Sequence, residues 1–204
     1  MRKQLFCVFL WLMLTATAYA QSNSSNSAVY IDLNTGFLFS NNKEFGNTWR
    51  SFPALHANIQ IPFYASRVEA GVRFTRYNGY TATEPDADFS SFYFYVGYGY
   101  PFKITSWYNL MPVFRLGSNL MLFDESAVYV NNDASEKFIT DQSESEIAYE
   151  LVLRNQFKIT NRWFLNAELS YNHTFTYHPI PVTLFTIGVS YSFSQPHWLQ
   201  DIIQ

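Results

Sequence analysis

Residues Val182 to Phe193 read V-T-L-F-T-I-G-V-S-Y-S-F. Phe185, Ile187, Val189, Tyr191 and Phe193 recur at every second position, with Thr186, Gly188, Ser190 and Ser192 between them. Successive side chains of an extended chain point to opposite faces, so this spacing predicts a strand with one apolar and one polar side. Two settings suit such a strand. In a soluble sandwich the apolar face turns inward; in a bilayer it turns outward. The rest of the chain decides between them.

The alternation recurs upstream. Strands are predicted at about Val29–Ser40, Phe52–Phe63, Arg67–Tyr77, Phe89–Phe102, Leu110–Phe123, Glu146–Ile159 and Trp163–Tyr177, with Val182–Phe193 as the eighth. Each meets or slightly exceeds the 9–11 residues with which a tilted strand crosses a bilayer. The connections alternate in length. Tyr64–Ser66, Lys103–Asn109 and Thr160–Arg162 are compact; Asn41–Ser51 and Asn78–Asp88 are polar and longer; the acidic Asp124–Ser145 is the longest. Short periplasmic turns and long extracellular loops are the asymmetry of an outer-membrane barrel. His178–Pro181 is a short exception on the loop side.

Phasing the strands together separates two faces. One carries Val29, Ile31, Leu33, Phe37, Leu55, Ile59, Val72, Phe94, Val96, Leu116, Leu151 and Leu169, and no Asp, Glu, Lys or Arg in its central part. An Arg or Lys facing lipid at mid-depth costs about 2–4 kcal/mol, which explains the exclusion. The other face carries Asp32, Glu69, Arg73, Arg115, Glu150, Arg154 and Glu168, with His56 and several Asn and Gln. Buried charges need partners, so these four acids and three arginines are expected to pair across a lumen that eight strands leave just wide enough to fill. Gly36, Gly71, Gly97, Gly99, Gly117 and Gly188 share that inner face. Their missing side chains make room for Tyr93 and Tyr95. Phe63, Tyr64, Tyr98, Tyr100, Trp107, Tyr108, Trp163, Tyr191 and Phe193 gather at the turn end. An interfacial aromatic girdle belongs there.

The amino terminus agrees with export. Arg2 and Lys3 precede an apolar run from Leu5 to Leu14, and Ala18-Tyr19-Ala20 supplies a small-x-small cleavage site. This is the pattern of a secretory signal peptide over residues 1–20, cut before Gln21. The apolar run is shorter than the roughly 20 residues of a membrane helix. A polar tether, 21–27, then leads into a barrel over 28–193 and a tail over 194–204. Cys7 is the sole cysteine. Disulfides and thiolate chemistry are therefore absent from the mature chain. Aromatics reach 20% while charged residues fall to 14%. Soluble domains carry roughly 25% charged residues, well above this chain. The net charge of −3 is small. It speaks against nucleic acid as a partner.

The eight residues T-I-G-V-S-Y-S-F ending the first stretch fit polar-x-Gly-x-x-aromatic-x-aromatic. With Thr186, Gly188, Tyr191 and Phe193 in place, they resemble the closing-strand signal read by the barrel assembly machinery of outer membranes. The whole mature chain resembles a small, all-β, eight-stranded antiparallel up-and-down transmembrane barrel. Its start at Gln21 is similar to that of secreted Bacteroidetes-type proteins. The resemblance implies location in the outer membrane, contact with its lipids and lipopolysaccharide, and insertion by the assembly machinery. It also implies a structural or adhesive role, or service as accessory subunit to an envelope-complex partner. The tail beyond Phe193 departs from the usual pattern; folded as a short helix it would place Trp198, Leu199, Ile202 and Ile203 on one face, the alternative being a frayed end.

Enzymatic barrels that modify lipid A form the alternative reading, and a soluble periplasmic β-barrel a more distant one. Catalysis at the rim needs a nucleophile and base within hydrogen-bond reach. His173, in Tyr171-Asn172-His173-Thr174, is the nearest candidate, but the His-x-Ser-Asn pattern of lipid A deacylase barrels is missing. His173 and His178 without a further ligand make a weak metal pair. No catalytic, cofactor-binding or metal residues are therefore assigned. The acidic loop contains Asp124, Glu125, Asp133, Glu136, Asp141 and Glu144. Their spacing is not that of a calcium loop. As the longest loop on a rigid scaffold it is the candidate binding loop.

Overall fold

The computed structural model describes residues 28–79, 88–124, 128–130, 137–139, 143–176 and 179–195. Among them eight long strands form the barrel wall: β1 (Ala28–Ser40), β2 (Ala54–Phe63), β3 (Ser66–Gly79), β4 (Phe89–Gly99), β5 (Tyr108–Phe123), β6 (Ser143–Lys158), β7 (Trp163–Thr174) and β8 (Ile180–Ser194). Every strand pairs antiparallel with its neighbours in sequence. Closure comes from β1 and β8, in register from Ala28↔Ser194 to Ser40↔Val182. The sheet therefore has no free edge, as spanning a bilayer requires.

The two faces fall as the alternation predicts. Leu33, Phe37, Leu55, Val96 and Ile147 are exposed on the outside, while Asp32, Glu69, Arg115, Glu150, Arg154 and Glu168 are buried within. Val29, on the outward parity, is also buried, at the periplasmic start of β1. The turn-end aromatics form ring contacts at one level: Phe63–Tyr64 at 4.8 Å, Tyr100–Phe102 at 4.9 Å and Trp163–Tyr191 at 5.0 Å between centroids. Tyr64 opens the tight β2–β3 turn with a left-handed φ of 51°, and Ser66 Oγ donates to Phe63 O across it at 2.6 Å.

Two glycines show how the wall coils closely enough to fill itself. A Cβ on Gly117 would lie 2.8 Å from Tyr95 Cα, so the β4 backbone passes where a side chain would stand. A Cβ on Gly71 would lie 2.6 Å from Asn58 Cβ and 2.7 Å from Ala57 O, in space shared with the Tyr95 hydroxyl. Any larger residue at either position forces neighbouring strands apart.

The connections depart from expectation at several points. Strand β2 begins at Ala54, two residues later than predicted: Phe52 N still donates to Arg76 O at 2.8 Å, but Pro53 has no N–H to offer and interrupts the strand. Strand β4 ends at Gly99; Phe102–Lys103 then folds back onto Leu110 and Asn109 of β5. Strands β3 and β6 run longer than expected, and Glu144 lies within β6 instead of a loop. Within the region expected as a long acidic loop, Val128–Val130 pairs antiparallel with Lys137–Ile139 as a separate two-stranded sheet.

The first extracellular connection is the largest difference. Its polar composition predicts an open loop, yet Lys43–Thr48 forms a short helix, α1, and Trp49–Ser51 pairs with residues 77–79. Asn42 Oδ1 accepts from Phe45 N at 3.3 Å. That bond satisfies one of the free amides at the helix start. Asn41 N donates to Pro181 O at 3.0 Å and Asn41 Nδ2 to Thr183 Oγ1 at 2.9 Å, tying the connection to β8. So anchored, α1 turns Phe45 and Trp49 back over the barrel.

Candidate functional site

All seven charged residues predicted for the lumen meet at mid-height. Arg115 Nε donates to Glu69 Oε1 at 2.5 Å, its Nη1 to Glu150 Oε2 at 3.2 Å and its Nη2 to Glu168 Oε2 at 3.2 Å. Arg154 Nε donates to Glu168 Oε1 at 2.5 Å, and its Nη1 stands 2.9 Å from Glu69 Oε2 and 3.8 Å from Asp32 Oδ2. Arg73 Nη1 donates to Glu150 Oε1 at 2.5 Å, and Ser170 Oγ reaches the same oxygen at 2.6 Å. Arg115 and Arg154 between them thus serve all four carboxylates through their several donors, which single-point lysine charges do less well. The rings of Tyr95 and Tyr93 lie 4.6 and 4.9 Å from the Arg115 and Arg73 guanidiniums. Each ring face adds cation–π attraction to its arginine.

Neutral groups complete the shell. His56 Nε2 is hydrogen-bonded to the Tyr95 hydroxyl, and Gln60 Nε2 donates to Asp32 Oδ2. With its amide nitrogen facing Asp32, Asn58 donates to Oδ2 at 2.6 Å and accepts from Arg154 Nη2 at 3.0 Å. A fourth buried arginine, Arg67, joins from below, where the sequence predicts only the start of a strand. It donates to Gln60 Oε1 at 3.1 Å and Gln156 Oε1 at 3.3 Å and lies 4.0 Å over the Tyr30 ring. With it, the buried acids Asp32, Glu69, Glu150 and Glu168 face Arg67, Arg73, Arg115 and Arg154 in equal number.

Above this network the lumen turns apolar. Phe45, Tyr77, Phe89 and Met121 form a buried cluster against which Leu38, Trp49, Phe123 and Ile180 pack. Tyr77 and Phe89 stack at 4.6 Å, and Phe45 meets Tyr77 edge-on at 5.4 Å. The helix α1 therefore supplies the lid of the barrel.

At the extracellular rim, Arg76 holds two loop roots together. Its Nη2 bonds Asp124 Oδ2, its Nη1 donates to Asp124 Oδ1 at 2.8 Å, and Asp88 Oδ2 stands 3.7 Å away. Asp124 N donates to Asp88 O at 2.9 Å. The bond from Arg76 holds the Asp124 carboxyl below the usual carboxylate range. A donor and positive charge beside a carboxylate favour its ionised form. Of the candidate binding loop, Asp124 is this root and Glu144 lies in β6; Glu125, Asp133, Glu136 and Asp141 fall outside the described residues.

His173 sits on the outward face, stacked on Tyr149 at 5.4 Å and edge-on to Phe175 at 5.0 Å. Its Nδ1 has no hydrogen-bond partner among the described residues, and Ser170 and Glu168 on the same strand turn inward to the charge network. Residue 178 is outside the described residues. Among those described, no group of three or more His, Cys, Asp or Glu is placed to hold a metal ion. In the closing strand, Thr186 pairs with Gly36, Gly188 with Asn34, Tyr191 with Ile31 and Phe193 with Val29, so all four lie on the seam.

A closed, lipid-faced, charge-filled cylinder of eight strands is a small integral outer-membrane barrel. The chain matches the outer membrane protein beta-barrel domain over residues 8–193 and belongs to that family, located in the cell outer membrane. Its fold is similar to that of Neisserial surface protein A, with a TM-score of 0.57 and 16% identity over 81% of this chain and 99% of that one. It is also similar to Ail, the attachment invasion locus protein of Yersinia pestis, with a TM-score of 0.50 and 16% identity over 81% and 97% of the two chains. No curated protein matches the sequence.

Proposed function

We propose that this barrel is a non-catalytic membrane platform that acts through its extracellular rim, in a structural or adhesive role or as an accessory subunit of an envelope complex. The observation that carries this reading is the doubly closed lumen. Ion pairs occupy mid-height and the Phe45 cluster occupies the mouth. Among the described residues this leaves neither a water-lined pore nor a cleft for an aqueous substrate, so contact falls to the extracellular loops beyond the Arg76 clasp. The solved relative from Yersinia pestis carries attachment and invasion in its name, which supports the adhesive form. A structure of that relative holds sucrose octasulfate, a heparin analogue. Such a polyanion suits this rim poorly, because in the sequence Glu44, Asp88, Asp124, Glu144 and Glu146 outnumber Lys43, Arg50, Arg76 and Lys137 there.

The lipid A-modifying alternative centres on His173, whose neighbours are rings instead of a nucleophile and an orienting acid. The test combines two readouts on one strain. Purified protein in planar bilayers is expected to show no stable conductance steps, and His173→Ala is expected to leave the lipid A profile unchanged. Stepwise conductance by the single barrel, or a lipid A species that vanishes with His173, overturns the reading.

A further inference from the structure

The two ends of the barrel carry opposite charge. The described periplasmic turns, residues 64–65, 100–107 and 159–162, contain no Asp or Glu. Lys103, Lys158 and Arg162 are all exposed there. Among the described residues neither lysine has an ion-pair partner, while the Arg162 guanidinium donates to the Tyr191 hydroxyl at 3.2 Å. The three cations are also brought together. Lys158 N donates to Trp107 O at 2.7 Å, which stitches the β6–β7 turn to the β4–β5 turn. Lys103 pairs with Asn109, and Asn109 with Gln156, two residues from Lys158. The β2–β3 turn contributes no charge, so the basic surface is confined to one side of the rim.

The cations are flanked by groups that mark a membrane interface. Trp107 and Trp163 are 56% and 47% exposed, at the level of the aromatic girdle, and Ile159 beside Lys158 is 62% exposed. Indoles settle at headgroup level, an exposed isoleucine there has only acyl chain to meet, and lysine stems lie along apolar surface while their ammonium groups reach polar phosphate. We propose that this side of the periplasmic rim binds the headgroups of anionic phospholipids of the periplasmic leaflet, with Lys103, Lys158 and Arg162 as phosphate partners and Trp107 and Trp163 as depth markers. Charge complementarity selects the occupant: a zwitterionic headgroup brings a cation toward three cations, and an anionic one does not. The surface would orient the barrel and gather anionic lipid around the β5–β7 side.

The experiment offers the refolded full chain, in a neutral detergent, an equimolar mixture of phosphatidylglycerol and phosphatidylcholine with identical acyl chains, and reads retained lipid by native mass spectrometry. Wild type is expected to favour phosphatidylglycerol by roughly a hundredfold, the scale set by three cations at an anionic lipid surface. The triple variant Lys103→Gln, Lys158→Gln, Arg162→Gln is expected to bring the ratio close to one. Lys43→Gln, on the extracellular side, is expected to leave it unchanged. Heat-modifiable gel mobility verifies that each variant is folded, and Lys103→Arg with Lys158→Arg, which keeps the charge, is expected to keep the preference. A wild-type ratio near one overturns the proposal, as does a folded triple variant with undiminished preference. A preference seen only in a chain stopped after Gln195 also overturns it, because the segment 196–204, which carries Asp201, is then the occupant.

Discussion

At mid-height the barrel is closed by charge, with Arg115 and Arg154 spread over Glu69, Glu150 and Glu168; at the mouth it is closed by rings, with Phe45 set among Tyr77, Phe89 and Met121. The two plugs fail differently. In the centre the charged groups hold one another in buried surroundings of low dielectric, so removing one leaves its partners buried without a counter-charge. In the mouth each ring contributes area and contact, and removing one costs roughly what that ring buried. The centre is brittle and the mouth is graded.

The sharpest way to break that contrast is Arg154→Met, which keeps most of the volume and deletes the charge. Glu168 loses its 2.5 Å partner, and Asp32 loses the arginine that stands 3.8 Å away. Removing one side of a buried ion pair costs about 3–5 kcal/mol, a large share of the roughly 5–15 kcal/mol that holds a domain folded. Urea titration of the barrel refolded into vesicles, scored by heat-modifiable mobility, measures it. A loss below about 1 kcal/mol, the cost typical of an exposed ion pair, would mean that water already reaches the network.

The centre was legible in sequence because strand parity alone assigns residues to the inside. Asp32, Glu69, Arg73, Arg115, Glu150, Arg154 and Glu168 all obey it. Parity does not say which arginine meets which acid, since that depends on the stagger between strands; Arg73 and Glu150, far apart in the chain, meet only once the barrel closes. Arg67 shares the parity of Glu69, but nothing local distinguishes a buried arginine on Tyr30 from one at an exposed strand start. The mouth was hidden for another reason. Phe45 and Trp49 sit in a polar stretch too short to show a helical period. Only their spacing of four hints at a shared helical face.

Phe45→Ala addresses the mouth. Phenylalanine truncations in packed cores cost about 3–5 kcal/mol, and a lid that can settle into the gap places this one at about 3 kcal/mol. The same titration is expected to show a loss smaller than that of Arg154→Met. Planar bilayers are expected to stay silent, because the charged centre still fills the bore. Conductance on removing Phe45 alone would show that the mouth, and not the ion pairs, blocks the lumen.

The smallest effect belongs to the Arg76 clasp, a closure made in water. The Asp124 side chain is 48% exposed. Its bond to Arg76 is therefore screened by solvent and salt and contributes little to stability. The direction of the effect is nonetheless fixed, because Arg76 holds this carboxyl below its ordinary value. Such a group stabilises the fold above its unfolded pKa, about 3.9, and that contribution disappears as pH falls through the lower folded value. Carboxyl-carbon NMR of the folded barrel is expected to place the Asp124 midpoint below that of the same residue in Arg76→Gln, where it rises toward the ordinary carboxylate range. Added salt should narrow the gap, because screening acts on exposed pairs far more than on the buried centre. Equal midpoints in the two proteins would mean that the loop roots are joined by backbone pairing, Asp124 N to Asp88 O and Phe89 with Phe123, without help from the Arg76 charge. The Arg76 charge would then contribute nothing to the platform on which the loops stand.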